Sequence, residues 1–227
     1  MKNIKLYHFH FNSRAVITRA MLHHKKIPYE DIRIKGEDWK TLKYSGDFEF
    51  RNLPKLVVDG KEYVQMYAIN NYLARQLDLF GNNLEEDYQI NSLLNSYEDF
   101  AGKSRQAHLM PTEEQRKEAD KKFISVQIPF FLNAYEQRFK KYGGKYIVGD
   151  KFTLADIYLT CYLWNNYKSA MKMKKLGTEV LETHCPQVAE HIKKIKENEL
   201  KGFFDKAFIF EEDPNEMLIV AEIIRNS

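Results

Sequence analysis

The chain predicts an α/β domain in βαβ-ββα order followed by an all-helical domain, and three observations carry that prediction. Short β-branched or alternating runs occur at residues 4–9, 29–34, 55–58 and 61–65 and almost nowhere later. From residue 87 onward the apolar positions recur at three- and four-residue spacing, the period of helices with one buried face. Between the two regimes lies DLFGNNLEE, residues 78–86, whose Gly, Asn and charge content marks a connection. The expected division is 1–80 for the α/β domain, 81–86 for a linker, 87–202 for the helical domain and 203–227 for a C-terminal extension.

Residues 4–9 alternate, so Leu6 and His8 belong to one face of a strand and Tyr7 and Phe9 to the other. Asn12 and Ser13 suit a loop and helix cap, and residues 14–25 a helix with Val16, Ile17, Ala20 and Met21 as its apolar stripe. Ile27-Pro28-Tyr29 stops it, residues 29–34 form a second strand, and residues 36–52 a loop or irregular helix carrying Trp39 and Lys43. Leu53-Pro54 is an X-Pro bond, where the cis form costs only about 0.5–1 kcal/mol. The run 55–58, the Asp59-Gly60 turn and the return strand 61–65 read as a hairpin. A helix follows, with Ala68, Ile69, Tyr72, Leu73 and Gln76 at helical spacing; its N-terminus, just after a strand, suits a carboxylate. Together these elements make the thioredoxin-like arrangement.

In the second half, helices are expected at 87–102, at 113–142 with a bend at Ile128-Pro129, at 150–167, and at 187–199 after Cys185-Pro186. The third is the most apolar and so the core of its domain. Thr153-Leu154-Ala155-Asp156 is a capping box with aspartate in the acidic place.

Composition narrows the function classes. With 227 residues, 44% apolar and 30% charged, the chain can bury a sizeable core and reads as globular, not disordered. No apolar run approaches the roughly 20 residues of a membrane span, and MKNIKLYHF lacks the features of a secretory signal, so a cytoplasmic location is expected. Cys161 and Cys185 sit in unrelated surroundings and suggest neither a disulfide framework nor a metal site. The net charge is +3, and the basic clusters Lys172, Lys174, Lys175 and Lys193, Lys194, Lys196 are interrupted by acids, so they read as solvated faces and no nucleic-acid partner is expected.

Phe50-Arg51-Asn52-Leu53-Pro54 followed by Gln65-Met66-Tyr67-Ala68-Ile69 resembles the glutathione-binding half of the glutathione transferases, whose usual wording is Phe-Gly-Gln-x-Pro and Gln-Ser-x-Ala-Ile. The likeness is to sigma-like members, the branch of haematopoietic prostaglandin D synthase and the S-crystallins. The capping box after Tyr-Ile-Val-Gly resembles the folding box of that family's helical domain, so the resemblance covers about residues 4–200. It implies glutathione as cosubstrate, a small hydrophobic electrophile, and a homodimer.

Such an enzyme lowers the pKa of the bound thiol with a donor aimed at sulfur, because the thiolate is the nucleophile. Ungapped matching puts His8 where the family's tyrosine stands. An imidazole N–H is a competent donor and would add pH sensitivity near its reference pKa of about 6.5. A shifted strand end could instead bring in Tyr7, Ser13 could donate as in serine-type classes, or the site could be vacated. Arg14 matches an arginine near the thiol. Trp39 and Lys43 match positions holding the glycyl end, with Lys43 offering a charge-assisted bond. Asn52, Leu53 and Pro54 form the strand entry, where the Leu53 backbone pairs with the cysteinyl backbone. Gln65 keeps the amide for the γ-glutamyl group, whereas Met66 replaces the serine that holds its carboxylate. Asp99 matches an aspartate that reaches the γ-glutamyl amine across the dimer. Asn95 replaces an acid that helps some relatives bind a divalent ion, so no metal is expected.

The leading expectation is thus a glutathione transferase with weak activity, or a glutathione-dependent isomerase or peroxidase. Its rival is a non-catalytic member of the fold serving as a structural or assembly subunit, favoured by His8, Met66, Arg51 and the extension. In 203–227, Asp213-Pro214-Asn215-Glu216 predicts a capped helix start. That extension could cover the electrophile pocket, pack on the partner chain or dock another protein.

Overall fold

The computed structural model describes residues 1–10, 13–142, 144–163 and 183–207. The expected Asn12 cap, the helix end at 164–167, the first lysine cluster and the capped start at 213–216 lie outside the described residues. The chain divides into two compact units, Met1–Asp78 together with the stretch from Gly202, and Leu79–Lys201.

The first unit carries β1 (Ile4–Phe9), a 3-10 turn (Ser13–Ala15), α1 (Val16–His24), β2 (Glu30–Ile34), α2 (Gly36–Leu42), β3 (Lys55–Val58), β4 (Lys61–Val64) and α3 (Met66–Gln76). The sheet order is β2-β1-β3-β4, with β1 parallel to β2 and antiparallel to β3, and β3 antiparallel to β4. This is the expected βαβ-ββα order. Asp59 and Gly60 both have positive φ (51° and 84°), the geometry that a two-residue hairpin needs to match strand twist. In β1, Ile4, Leu6 and His8 are buried while Tyr7 and Phe9 are half-buried, the period-two split read from the sequence.

Two local expectations change. The first helix starts at Val16 because residues 13–15 wind as a tighter turn, with Ser13 at φ 28°. Its burial is not a stripe: every residue from Val16 to Leu22 is buried, including Thr18 and Arg19. Buried polar groups need partners, and Thr18 Oγ1 donates to Asn70 Oδ1 of α3 at 2.8 Å.

The second unit holds α4 (Leu84–His108), α5 (Glu113–Lys122), a π-helical segment (Phe123–Gln127), α6 (Ile128–Tyr142), α7 (Leu154–Ile157), a further π-helical segment (Tyr158–Leu163) and α8 (Pro186–Glu197). Helix α4 begins three residues before the expected 87, inside the stretch read as linker. The Asn83 side chain accepts from the Glu86 N–H (3.0 Å), and the Glu86 carboxylate accepts from the Asn82 N–H (2.7 Å), which caps an earlier start. It also runs past Gly102, an interior glycine that a helix tolerates at about 1 kcal/mol.

The expected bend at Pro129 takes the form of the π segment just before it. Proline lacks the N–H that would bond to the carbonyl four residues back, and its ring crowds that carbonyl; a widened turn relieves both. Asp156 is fully buried at the start of α7. It accepts from the Thr153 N–H (2.8 Å), Thr153 Oγ1 (3.1 Å) and the Ile147 N–H (3.0 Å), and His191 Nε2 of α8 lies 3.0 Å away. The folding box is formed.

A last helix, α9 (Phe203–Ala207), groups with the first unit, where Phe203 is buried with its ring 5.3 Å from that of His23.

Candidate functional site

Strand register gathers the site. The last β1–β3 pair is Tyr7 with Lys55, and Lys55 also pairs with Val64 of β4. One step further along each strand stand His8, Pro54 and Gln65. On the far side β1 stays paired with β2 as far as Phe9 with Ile34, after which α2 begins. His8, the Leu53-Pro54 bond, Gln65 with Met66, and α2 with Trp39 therefore stand at one end of one sheet.

His8 is 2% exposed and shares a face with Leu6, its ring edge-on to Phe9 at 5.5 Å. Tyr7 points the other way, edge-on to Phe48 at 6.3 Å. Among the described residues the ladder runs from Lys5 to Phe9 without a break, so no bulge turns Tyr7 onto the face of His8. Ser13 is exposed and Arg14 half-buried, both in the 3-10 turn before α1.

Trp39, at 4% exposure, packs with Ile34, Phe48 and Leu53. Its ring lies edge-on to Phe9 (5.9 Å) and Phe48 (4.9 Å), so it builds the wall of this sheet end. Lys43, at the C-cap of α2, has its ammonium 5.7 Å from the Tyr44 ring. Asn52 is exposed, and the Leu53-Pro54 bond is cis.

Gln65, the exposed N-cap of α3, holds φ 69° and ψ 112°, a positive φ that costs a non-glycine residue about 1–3 kcal/mol. No side chain caps α3, and its first turn has no acid. First-turn N–H groups lack partners within a helix and carry its positive dipole end, so this terminus suits an anionic group. Met66 opens the helix with its side chain turned inward, 5% exposed. Asp99 is exposed on α4, in the second unit.

Two groups escaped sequence reading. Lys55 is buried; its ammonium donates to the Asp47 carbonyl (2.8 Å), pairs with Glu62 (2.9 Å) and lies 4.6 Å from the Phe48 ring centroid. The other group is Arg19, Asp31 and Arg33. Arg19 is 1% exposed and grips Asp31 by Nε (3.1 Å) and Nη2 (2.9 Å), while Arg33 Nε donates to the same carboxylate at 2.8 Å. Burial lowers the Arg33 pKa, with Arg19 adding repulsion and Asp31 opposing both. The one readable signal was an arginine in mid-helix among apolar neighbours.

Residues 2–75 match the glutathione S-transferase N-terminal domain and residues 98–206 the C-terminal domain. Glutathione S-transferase 4 of Caenorhabditis elegans is 32% identical over 203 residues, 85% of this chain and 96% of that protein. Human hematopoietic prostaglandin D synthase is 29% identical over 160 residues, 70% of this chain and 76% of that protein. The structure of a Fasciola hepatica sigma class glutathione S-transferase superposes with a TM-score of 0.74 at 25% identity, covering 91% of this chain and 97% of that one. With strand order, folding box and both halves in agreement, the chain belongs to the glutathione S-transferase family.

Proposed function

We propose that the chain is a sigma-like glutathione transferase in which His8 replaces the tyrosine of its relatives as the donor to the thiol. The observation that carries this is the strand register, which sets His8, the Leu53-Pro54 bond and Gln65 side by side at one sheet end. When bound, glutathione supplies a thiolate that forms a sulfur–carbon bond with a small hydrophobic electrophile as a leaving group departs or a π bond takes up the electrons.

The chain's residues bind and orient. The Leu53 backbone pairs with the cysteinyl backbone, and Gln65 with the first-turn N–H groups of α3 holds the γ-glutamyl end. Lys43 attracts the glycyl carboxylate, and Trp39 shapes the wall beneath it. An imidazole N–H of His8 stabilises the sulfur anion, with Arg14 in the role of the arginine that the family resemblance puts near the thiol. Binding is weaker than in relatives because Met66 brings no hydroxyl, and turnover is correspondingly slow. In this reading the protein is a cytoplasmic homodimer acting in detoxification, and Asp99 serves the partner's site.

Calorimetric titration with glutathione, together with retention on immobilised glutathione, tests the site. The native chain should bind, and His8→Phe should keep binding while turnover with a standard electrophile falls about a hundredfold. If neither the native chain nor a Met66→Ser, His8→Tyr double variant binds millimolar glutathione, the site is vacated and the structural-subunit alternative takes its place.

A further inference from the structure

The Arg19–Asp31–Arg33 cluster is costly where it stands. A buried ion pair is no more stabilising than a well-packed apolar replacement, and two guanidiniums on one carboxylate leave a surplus positive charge. The cluster's placement accounts for its presence. β1 and β2 are parallel, with Leu6 opposite Asp31 and His8 opposite Arg33. Side chains directly opposite one another share a face, so Asp31 and Arg33 stand on the face that buries Leu6 and His8, where Arg19 of α1 reaches them.

The Arg33 fork is divided between two tasks. Nε and Nη2 hold Asp31 at 2.8 and 2.7 Å, while Nη1 donates to the carbonyl of His10, two residues beyond His8. The β1–β2 ladder ends at Phe9, so this bond ties down the first backbone carbonyl beyond the sheet. β2 is an edge strand, held on the sheet by its ladder to β1 alone. Arg19 adds a second tie through Asp31, from a helix itself anchored by burial along Val16 to Leu22 and by the Thr18–Asn70 bond.

We propose that Arg33, held by Asp31 and Arg19, is a positioning residue for His8: it clamps the end of β1 and so sets the direction of the imidazole toward the thiol. This rests on the reading of His8 as thiol donor. Lysine cannot replace Arg33, because a single ammonium does not grip carboxylate and carbonyl in one plane.

The test uses Arg33→Lys and Arg33→Met in the full chain, with nitrogen-15-labelled histidine followed by NMR and steady-state kinetics alongside. If the clamp is real, the His8 ring resonances move in both variants. The glutathione dissociation constant stays within about twofold, and kcat falls between about tenfold and a hundredfold, the scale of a sub-ångström misplacement. In a His8→Phe background neither substitution lowers the residual rate further, because Arg33 acts only through His8. Should Arg33→Met fail to fold, Arg33→Lys carries the test alone. Unmoved His8 resonances, a loss expressed in glutathione binding, or an equal loss in the His8→Phe background would each overturn the proposal. Failure of the native chain to bind glutathione instead sinks the function reading, a different result from unmoved resonances in a chain that binds.

Discussion

Met66 separates stability from affinity within one side chain. It is buried at the first position of α3, at the place of the serine in the Gln-Ser-x-Ala-Ile wording. Met66→Ser deletes buried apolar atoms at a cost of about 2 kcal/mol or more, which should lower the melting temperature by about 4–8 °C. On the proposed function, the same substitution adds a hydrogen bond to a charged group worth about 1.5–3 kcal/mol, so glutathione affinity should rise one to two decades. Calorimetry and a melt on one sample check both signs. The residue-level site was legible where a short period or a motif governs it: the faces of His8 and Tyr7 follow from alternation, and Gln65 with Met66 from a fixed place after a hairpin. Lys55, Arg19 and Arg33 were not, because charged residues read as surface until tertiary contacts supply partners. Asp31 comes to Arg19 only through the crossover from α1 to β2.

At the scale of elements, the folding box joins three segments of the second unit through one carboxylate. Asp156 holds the Thr153 N–H at the start of α7, the Ile147 N–H of the preceding loop and, through His191, α8. Asp156→Ala leaves buried N–H groups unpaired and should cost about 3–5 kcal/mol. A urea midpoint well below that of the native chain would verify this; a loss of unfolding free energy under about 1 kcal/mol, roughly that of an ordinary cap, would refute it. The box was readable because its residues are adjacent in sequence. The early start of α4 was also written in the chain, as Asn83 three residues before Glu86, but a stretch rich in Gly and Asn reads first as linker. The π segment before Pro129 was foreseen only as a bend, since proline states that the ladder must change without stating how.

For the whole molecule, the proposed dimer predicts a mass in solution twice the 27.0 kDa of one chain. Light scattering giving the single-chain mass at micromolar concentration would remove the role of Asp99 in a partner's site. Phe203 makes a second prediction. It is buried in the first unit beside His23 of α1, so truncation after Gly202 should lower stability by about 3 kcal/mol or more, the usual cost of losing a buried phenylalanine. Phe203→Ala in the full chain should lower stability by a comparable amount. A melt unchanged by that substitution would refute an anchoring role for the ring.

The return of α9 to the first unit also sets an order in time. The first unit is interrupted by Leu79–Lys201, so the ring that covers part of α1 is translated only after the second unit. At about 5–20 residues per second, those roughly 120 residues take about 6–25 s to synthesise. For that interval the nascent first unit stands without the ring that packs beside His23.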